Sequence, residues 1–219
     1  MSSFAHTADP GYFENERRDL VAKLPRPLGS VLDVGCGAGG VGRALREAGA
    51  ARLTGVELDP VAGARAREVF DEVHVGTVEQ ALADGRLQGP FDTIVVYDVL
   101  EHLVDPADVL RRVRALCAAG GHLHVSVPNA RHFSLLIDLV LRGTFGYTDS
   151  GHRDATHLRW FTHRDIESLV RDQGFAVLRS DPAVLGRGQL VDRVTLRLLT
   201  EFLALQWNVL ARAQGEQTA

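Results

Sequence analysis

Short apolar or β-branched runs recur at Ser30–Val34, Arg52–Glu57, Glu72–Val75, Phe91–Tyr97 and His122–Val127. Segments with helical spacing of apolar residues lie between them, at Gly40–Ala48, Pro60–Val69, Val78–Asp84 and Pro106–Ala115. Strand and helix in alternation predict a parallel sheet, because a crossover between parallel strands needs room for a helix, and those helices cover both sheet faces. Ahead of the first strand, Phe13, Leu20, Val21 and Leu24 alternate with acids and bases and predict a helix over Gly11–Leu24, ended by Pro25 and Pro27.

The rhythm breaks between Asn129 and Trp160. A helical run, Arg131–Arg142, leads into the irregular stretch GTFGYTDSGHRDATH, which reads as an insertion after the fifth strand. The Arg131–Arg142 run is apolar nearly all round and must be covered by core, by a second copy in a homodimer, or as a lid over an acceptor. A helix at Thr162–Gln173 and a strand at Phe175–Arg179 resume the pattern. Beyond Gly188 the chain reads as a helix to about Leu203 and a last strand at Gln206–Arg212, although one unbroken helix fits nearly as well.

With 219 residues and 45% hydrophobic content, the chain can bury a sizeable core. We expect one domain over residues 11–213, with flexible ends at 1–10 and 214–219. A net charge of −4 and a pI near 6.1 argue against a large nucleic-acid surface. Cys36 and Cys117 lack metal-ligand spacing and suit a reducing cytoplasmic compartment. The N-terminus lacks a basic start followed by an apolar core, and no run reaches the roughly 18 apolar residues of a membrane span.

The most informative stretch is VLDVGCGAGG at 31–40. Gly35, Gly37 and Gly39 allow the backbone to turn sharply off a strand and lie against a bulky ligand. Gly35, Gly37 and Gly40 also satisfy the G-x-G-x-x-G spacing of dinucleotide enzymes, so the glycines alone leave the cofactor open. Glu57, about twenty residues on and at the end of the second strand, is placed to accept hydrogen bonds from ribose hydroxyls, which either cofactor class would offer.

Taken together, DVGCGAG, the acid of GVELDP, FDTIVVYDVLEHL, GGHLHVSVPN and HLRWFT resemble the class I S-adenosylmethionine-dependent methyltransferases over about residues 12–212. The nearest flavour is that of the ubiquinone-biosynthesis O-methyltransferases and of small methyltransferases from polysaccharide and natural-product pathways. The resemblance implies a Rossmann-like, doubly wound α/β fold, with a seven-stranded mixed sheet whose last strand is antiparallel. It implies S-adenosylmethionine as cofactor, with Asp33 beside the methionine ammonium and the backbone of Gly35 and Gly37 against the methionine part. Glu57 falls at the ribose, followed by Leu58; Thr77 and Val78 fall at the adenine, and Asp98 and Val99 beside the transferred methionine. Asp33, Asp98 and a single lysine, Lys23, speak against a nicotinamide oxidoreductase with a Tyr-x-x-x-Lys site.

Methyl transfer asks mainly for alignment, but a hydroxyl acceptor needs its proton removed, for which histidine is suited near neutrality. Of nine histidines, His152 and His157 in GHRDATHLRWFT are the candidate bases. Tyr12, His102, His132, Tyr147 and Arg153 are candidates to line the pocket of a small-molecule acceptor. An N- or C-methyltransferase without a base and a non-catalytic binding module are the rival readings. No metal is expected, since no tight cluster of histidine and aspartate stands in the linear sequence.

Overall fold

The computed structural model describes residues 16–149, 151 and 153–215. Two compact units divide at Ile94/Val95, inside the fourth strand. The first unit contains α1 (Arg18–Val21), β1 (Ser30–Val34), α2 (Gly40–Glu47), β2 (Arg52–Glu57), α3 (Pro60–Ala66), β3 (Glu72–Val75), α4 (Val78–Ala83) and the start of β4 (Phe91–Tyr97). The second contains the end of β4, a 3-10 turn at Leu100–His102, α5 (Pro106–Leu116), β5 (Cys117–Pro128), α6 (Phe133–Leu141), α7 (His163–Asp172), β6 (Phe175–Ala183), α8 (Arg187–Val194), α9 (Thr200–Leu203) and β7 (Gln206–Ala213). The seven strands follow the order β3-β2-β1-β4-β5-β7-β6. β1, β2 and β3 pair in parallel, and β7 runs antiparallel to both β5 and β6, as expected of the last strand.

In the first unit, β1 is buried because Val31, Leu32 and Val34 line the core together with Leu53 and Val56 of β2. α3 and α4 begin where their capping residues dictate. The Asp59 carboxylate accepts the amides of Val61 and Ala62, and Thr77 Oγ1 accepts the amide of Gln80. Residues 11–15 of the first predicted helix lie outside the described residues. Arg17 lies in the left-handed region with no side-chain cap, Arg18–Val21 is the helical part of the described stretch, and Leu20, Val21 and Leu24 are buried as their spacing requires. α3 also stops early, at Ala66 rather than Val69, in a tighter turn where the Val69 amide bonds to Ala66 O.

The second unit departs from the sequence reading in four places. β5 starts at Cys117, not His122, because Cys117 is already extended and α5 passes straight into the strand. Gly120 therefore lies inside the strand at φ 72°, where a Cβ would come within 2.9 Å of the Arg212 guanidinium. β6 continues to Ala183, and Pro182 is tolerated because β6 is the sheet's edge. The expected helix beyond Gly188 is split into α8 and α9 at Leu196 and Arg197, both at positive φ. Finally, α6 is not a core helix: Leu135 and Asp138 are buried, whereas Phe133, Ile137, Leu139, Val140 and Leu141 are exposed. Asp138 turns inward because it pairs with both Arg142 and Arg153, which fixes the face that α6 shows the protein.

Candidate functional site

Each unit carries part of the predicted constellation. In the first, the glycine turn after β1 is tied to β2, since the amides of Gly35 and Cys36 both bond to Val56 O, at 2.8 and 3.0 Å. Gly35, Gly37 and Gly39 have φ of 79°, 54° and 89°, values a side chain would strain. Glu57 closes the arrangement. Its Oε2 accepts the Gly37 amide and its Oε1 the Asp59 amide, each at 2.8 Å. Each carboxylate oxygen keeps a second lone pair, so the same group can also accept ribose hydroxyls. Burial raises the Glu57 carboxyl above its ordinary range, opposed by the hydrogen bonds from Asp59 and Gly37.

Asp33 lies one residue before the end of β1 and is 1% exposed. Its Oδ2 is buried and has no hydrogen-bond partner among the described residues. Burial, with the nearby Glu57 charge, pushes its carboxyl up to about 8. An orphaned buried carboxylate oxygen beside a glycine loop fits the ammonium of a methionine group, which would both pair with it and hold it ionised. Cys36, in the same loop, is a free, buried thiol raised far above its ordinary range by burial and by the carboxylates of Asp33 and Glu57. Leu58 is exposed beside Glu57, Thr77 caps α4 and Val78 is buried beneath that cap.

In the second unit, β4 ends at Tyr97, and Asp98 turns the chain at φ 56°. The Asp98 amide bonds to Ser126 O, and its Oδ1 accepts Gln206 Nε2 at 2.7 Å. Val99 then leads into the Leu100–His102 turn. Glu101 O accepts the amides of both Leu158 and Arg159, at 2.8 and 2.9 Å, which draws the end of the insertion onto this turn. The His102 and His157 rings consequently meet edge to face at 4.7 Å.

A relay of hydrogen bonds orients this pair. Thr156 Oγ1 donates to Asp154 Oδ1 at 2.7 Å and faces His102 Nδ1 at 3.1 Å. Burial alone would raise the Asp154 carboxyl. Hydrogen bonds from the Thr156 amide and hydroxyl, with the charges of His157 and His102, outweigh it and hold Asp154 below the ordinary carboxylate range. An ionised Asp154 only accepts, so the single Thr156 hydroxyl proton points to it, and the hydroxyl oxygen must accept from His102 Nδ1–H. In a neutral His102 the ring proton therefore sits on Nδ1.

Glu101, His102 and His157 each bring a ligating atom within 4.8 Å of the others, a trio of the kind that holds a divalent cation. The linear spacing conceals it, as it conceals the parts of Asp154 and Thr156. Only their position in the same insertion as His157 pointed toward them.

The remaining candidates are placed as follows. His132 is buried, with Nδ1 2.9 Å from Ser134 Oγ and its ring against Phe133. Arg153 pairs with Asp138. Tyr147 is exposed and packs with Phe145 and Trp160 at ring distances of 4.8 and 6.5 Å. Trp160 is 38% exposed, whereas its neighbour Phe161 is buried. Tyr12 and His152 lie outside the described residues.

A mixed seven-stranded sheet with an antiparallel last strand, a glycine turn after β1 and an acid ending β2 defines a class I S-adenosylmethionine-dependent methyltransferase fold. The chain belongs to the family described as "Methyltransferase domain", which matches residues 5–180. A ubiquinone biosynthesis O-methyltransferase of Xylella fastidiosa (strain 9a5c) is 29% identical over 84% of this chain and 77% of the relative. One of that name from Pseudomonas paraeruginosa (strain DSM 24068 / PA7) is 32% identical over 61% of this chain, which spans 60% of the relative's length. Among solved structures, an S-adenosylmethionine-dependent methyltransferase from Mesorhizobium loti superposes with a TM-score of 0.61 over 89% of this chain and 95% of its own, at 20% identity. One from Archaeoglobus fulgidus gives 0.66 over 93% and 94%, at 14% identity.

Proposed function

We propose that the chain methylates a hydroxyl of a small acceptor, of the sugar, polysaccharide-precursor or secondary-metabolite type, with the His102–His157 pair taking the hydroxyl proton. The carrying observation is the Asp154–Thr156–His102 relay, which presets the tautomer a base needs. When bound, S-adenosylmethionine supplies a methyl group on a sulfonium, already a strong electrophile. Asp33, the glycine turn, Glu57, Thr77 and Val78 of the first unit would hold it.

As the acceptor hydroxyl took that methyl group, His102 Nε2 would receive the hydroxyl proton, and the positive charge lost from the sulfonium would reappear on the imidazolium, so atoms and charge balance. His157 packs edge-on against His102 and fixes the ring's plane. Cys36 and Cys117 are in no disulfide among the described residues, which accords with a reducing, cytoplasmic setting. No helix among the described residues is long and apolar enough to cross a membrane.

The test is transfer of an isotopically labelled methyl group to a panel of hydroxylated sugars and phenols, with the product's new bond assigned by NMR. An O-methyl product whose formation falls with His102→Ala and is indifferent to chelators supports the reading. N- or C-methylation that survives His102→Ala overturns it. Loss of turnover with a chelator, restored by a divalent cation at the Glu101, His102 and His157 trio, would replace the base by a cation.

A further inference from the structure

The loop between α6 and α7 is tied down by its backbone while its aromatic rings stay in solvent. The Thr144 amide bonds to Asp138 O where the loop begins, and Arg153 pairs with the Asp138 carboxylate. In the middle, the Thr148 amide donates to Arg153 O and the Ala155 amide to Thr148 O, each at 3.0 Å. At its far end Glu101 O accepts Leu158 and Arg159, and the Ala130 amide donates to Phe161 O. The loop is thus fixed along its length without calling on its aromatic side chains.

Three of those side chains gather all the same. Phe145 meets Trp160 edge to face at 5.3 Å and Tyr147 at 4.8 Å, with Tyr147 and Trp160 6.5 Å apart. Tyr147 is 59% exposed and Trp160 38%. The ring planes are tilted by 42° to 79°, so they are facets of one open surface rather than a slot between parallel faces. Leaving large rings in solvent forgoes the stabilisation that burial supplies, and a grouped set of them points to a ligand.

A charged group lies at the same surface. A Cβ on Gly146, between Phe145 and Tyr147, would stand 3.0 Å from Arg153 Nη1. The guanidinium therefore packs against the backbone that carries two of the rings. Asp138 engages that Nη1 and fixes the guanidinium, a group with five N–H donors in a planar fork.

Aromatic facets beside a fixed guanidinium suit a sugar ring. The C–H groups on one face of a pyranose are polarised by the neighbouring oxygens and are drawn to the negative face of an aromatic ring. Hydroxyls around its rim need hydrogen-bond partners, which a charged donor supplies strongly. An aliphatic chain would make no use of the arginine, and a phenol brings it a single hydroxyl. The rings also share their loop with the His102 relay. Thr148, next to Tyr147, bridges to Asp154, and Trp160 follows His157 by three residues, at most about 11 Å of extended chain. That is the span of a short saccharide.

We propose that Phe145, Tyr147 and Trp160 form a carbohydrate subsite that seats a pyranose of the acceptor, with Arg153 hydrogen-bonded to its hydroxyls. The proposal deepens the O-methyltransferase reading and rests on it only in treating the sugar as the methyl acceptor. The test is saturation-transfer NMR of the full chain with methyl glycosides of glucose, galactose and mannose, with cyclohexanol and phenol as comparisons.

Saturation of glycoside C–H protons, with little of cyclohexanol or phenol, is the expected result. It should fall severalfold in Trp160→Leu, which keeps apolar area but removes the π face. Tyr147→Leu, at the more exposed ring, repeats the comparison where the fold has least at stake. Glycoside binding by a chain that methylates nitrogen or carbon would uphold the subsite and overturn the O-methyl reading, so the two fail separately. Absence of glycoside saturation, cyclohexanol or phenol saturating as strongly, or glycoside binding unchanged in both leucine variants overturns the proposal. So does a dimer in light scattering that Tyr147→Asp dissolves, which would assign the rings to a second copy.

Discussion

Glu57 accepts the Gly37 amide at 2.8 Å across twenty residues of sequence, so the acid that ends β2 also holds the glycine turn that leaves β1. A second amide, from Asp59, fills its other oxygen. The same carboxylate thus shapes the loop and stands ready for ribose hydroxyls, and structural and binding losses on its removal should come together.

Glu57→Ala should therefore destabilise the first unit by about 1–3 kcal/mol, the cost of leaving buried amides without an acceptor. It should also abolish the rise in thermal midpoint with S-adenosylhomocysteine, which at 100 times its dissociation constant is worth about 2.7 kcal/mol in the parent protein. Unfolding scans with and without the ligand measure both. A retained ligand shift in Glu57→Ala would remove Glu57 from the cofactor's contacts.

Asp33 makes a pH-dependent contribution of calculable sign. Its folded carboxyl titrates near 8, above the value of an unfolded aspartate near 3.9. Between those two values the unfolded chain is ionised at this position while the folded chain keeps its proton. The contribution therefore grows less favourable as pH rises from about 4 to about 8 and is level beyond. Asp33→Asn removes the titration. Denaturant unfolding at pH 5 and pH 8 should show a smaller difference in stability for the variant than for the parent; an equal difference would contradict the assignment.

Much of the fold was legible locally. β1 to β4 match their apolar runs, and the acids and hydroxyls that cap α3 and α4 sit where those helices begin. Periodicity failed where it had no contrast to offer. Apolar residues surround α6, and only Asp138, held by two arginines from outside its apolar stripe, decides which side turns in. The tie between the glycine turn and Glu57 was legible because loop and acid are close in sequence. The His102–Thr156 contact spans 54 residues, and nothing in the spacing announces that Glu101 O will capture Leu158 and Arg159 and so bring His157 against His102.

Packing beneath the glycine turn gives a sharper test of the first unit. Gly42 lies in α2 at helical geometry, where alanine would ordinarily be preferred by about 1 kcal/mol. A Cβ there would stand 2.3 Å from Phe70 Cε2. The clash should reverse the preference, so that Gly42→Ala costs about 1–3 kcal/mol in denaturant unfolding. Adding Phe70→Leu should recover part of that loss, giving a double-mutant coupling of opposite sign to the single effects. Simple additivity would show that Phe70 is not the obstacle.

The relay to His102 can be separated from mere packing. Thr156→Val keeps the shape of the side chain but removes the hydroxyl that accepts His102 Nδ1–H, leaving the imidazole without its tautomeric bias. If His102 is the proton acceptor, kcat should fall within the roughly 10²–10⁴-fold that general-base catalysis supplies, with KM for S-adenosylmethionine unchanged. Thr156→Ser restores the hydroxyl and should restore most of the rate. The ionised Asp154 stabilises a protonated His102 through the same relay, so its loss in Asp154→Asn should lower the histidine's pKa and move the acidic limb of the pH–rate profile to lower pH. A Thr156→Val enzyme with full turnover and an unmoved pH profile would leave Thr156 as a loop brace, and His102 as a residue whose tautomer does not matter to the reaction.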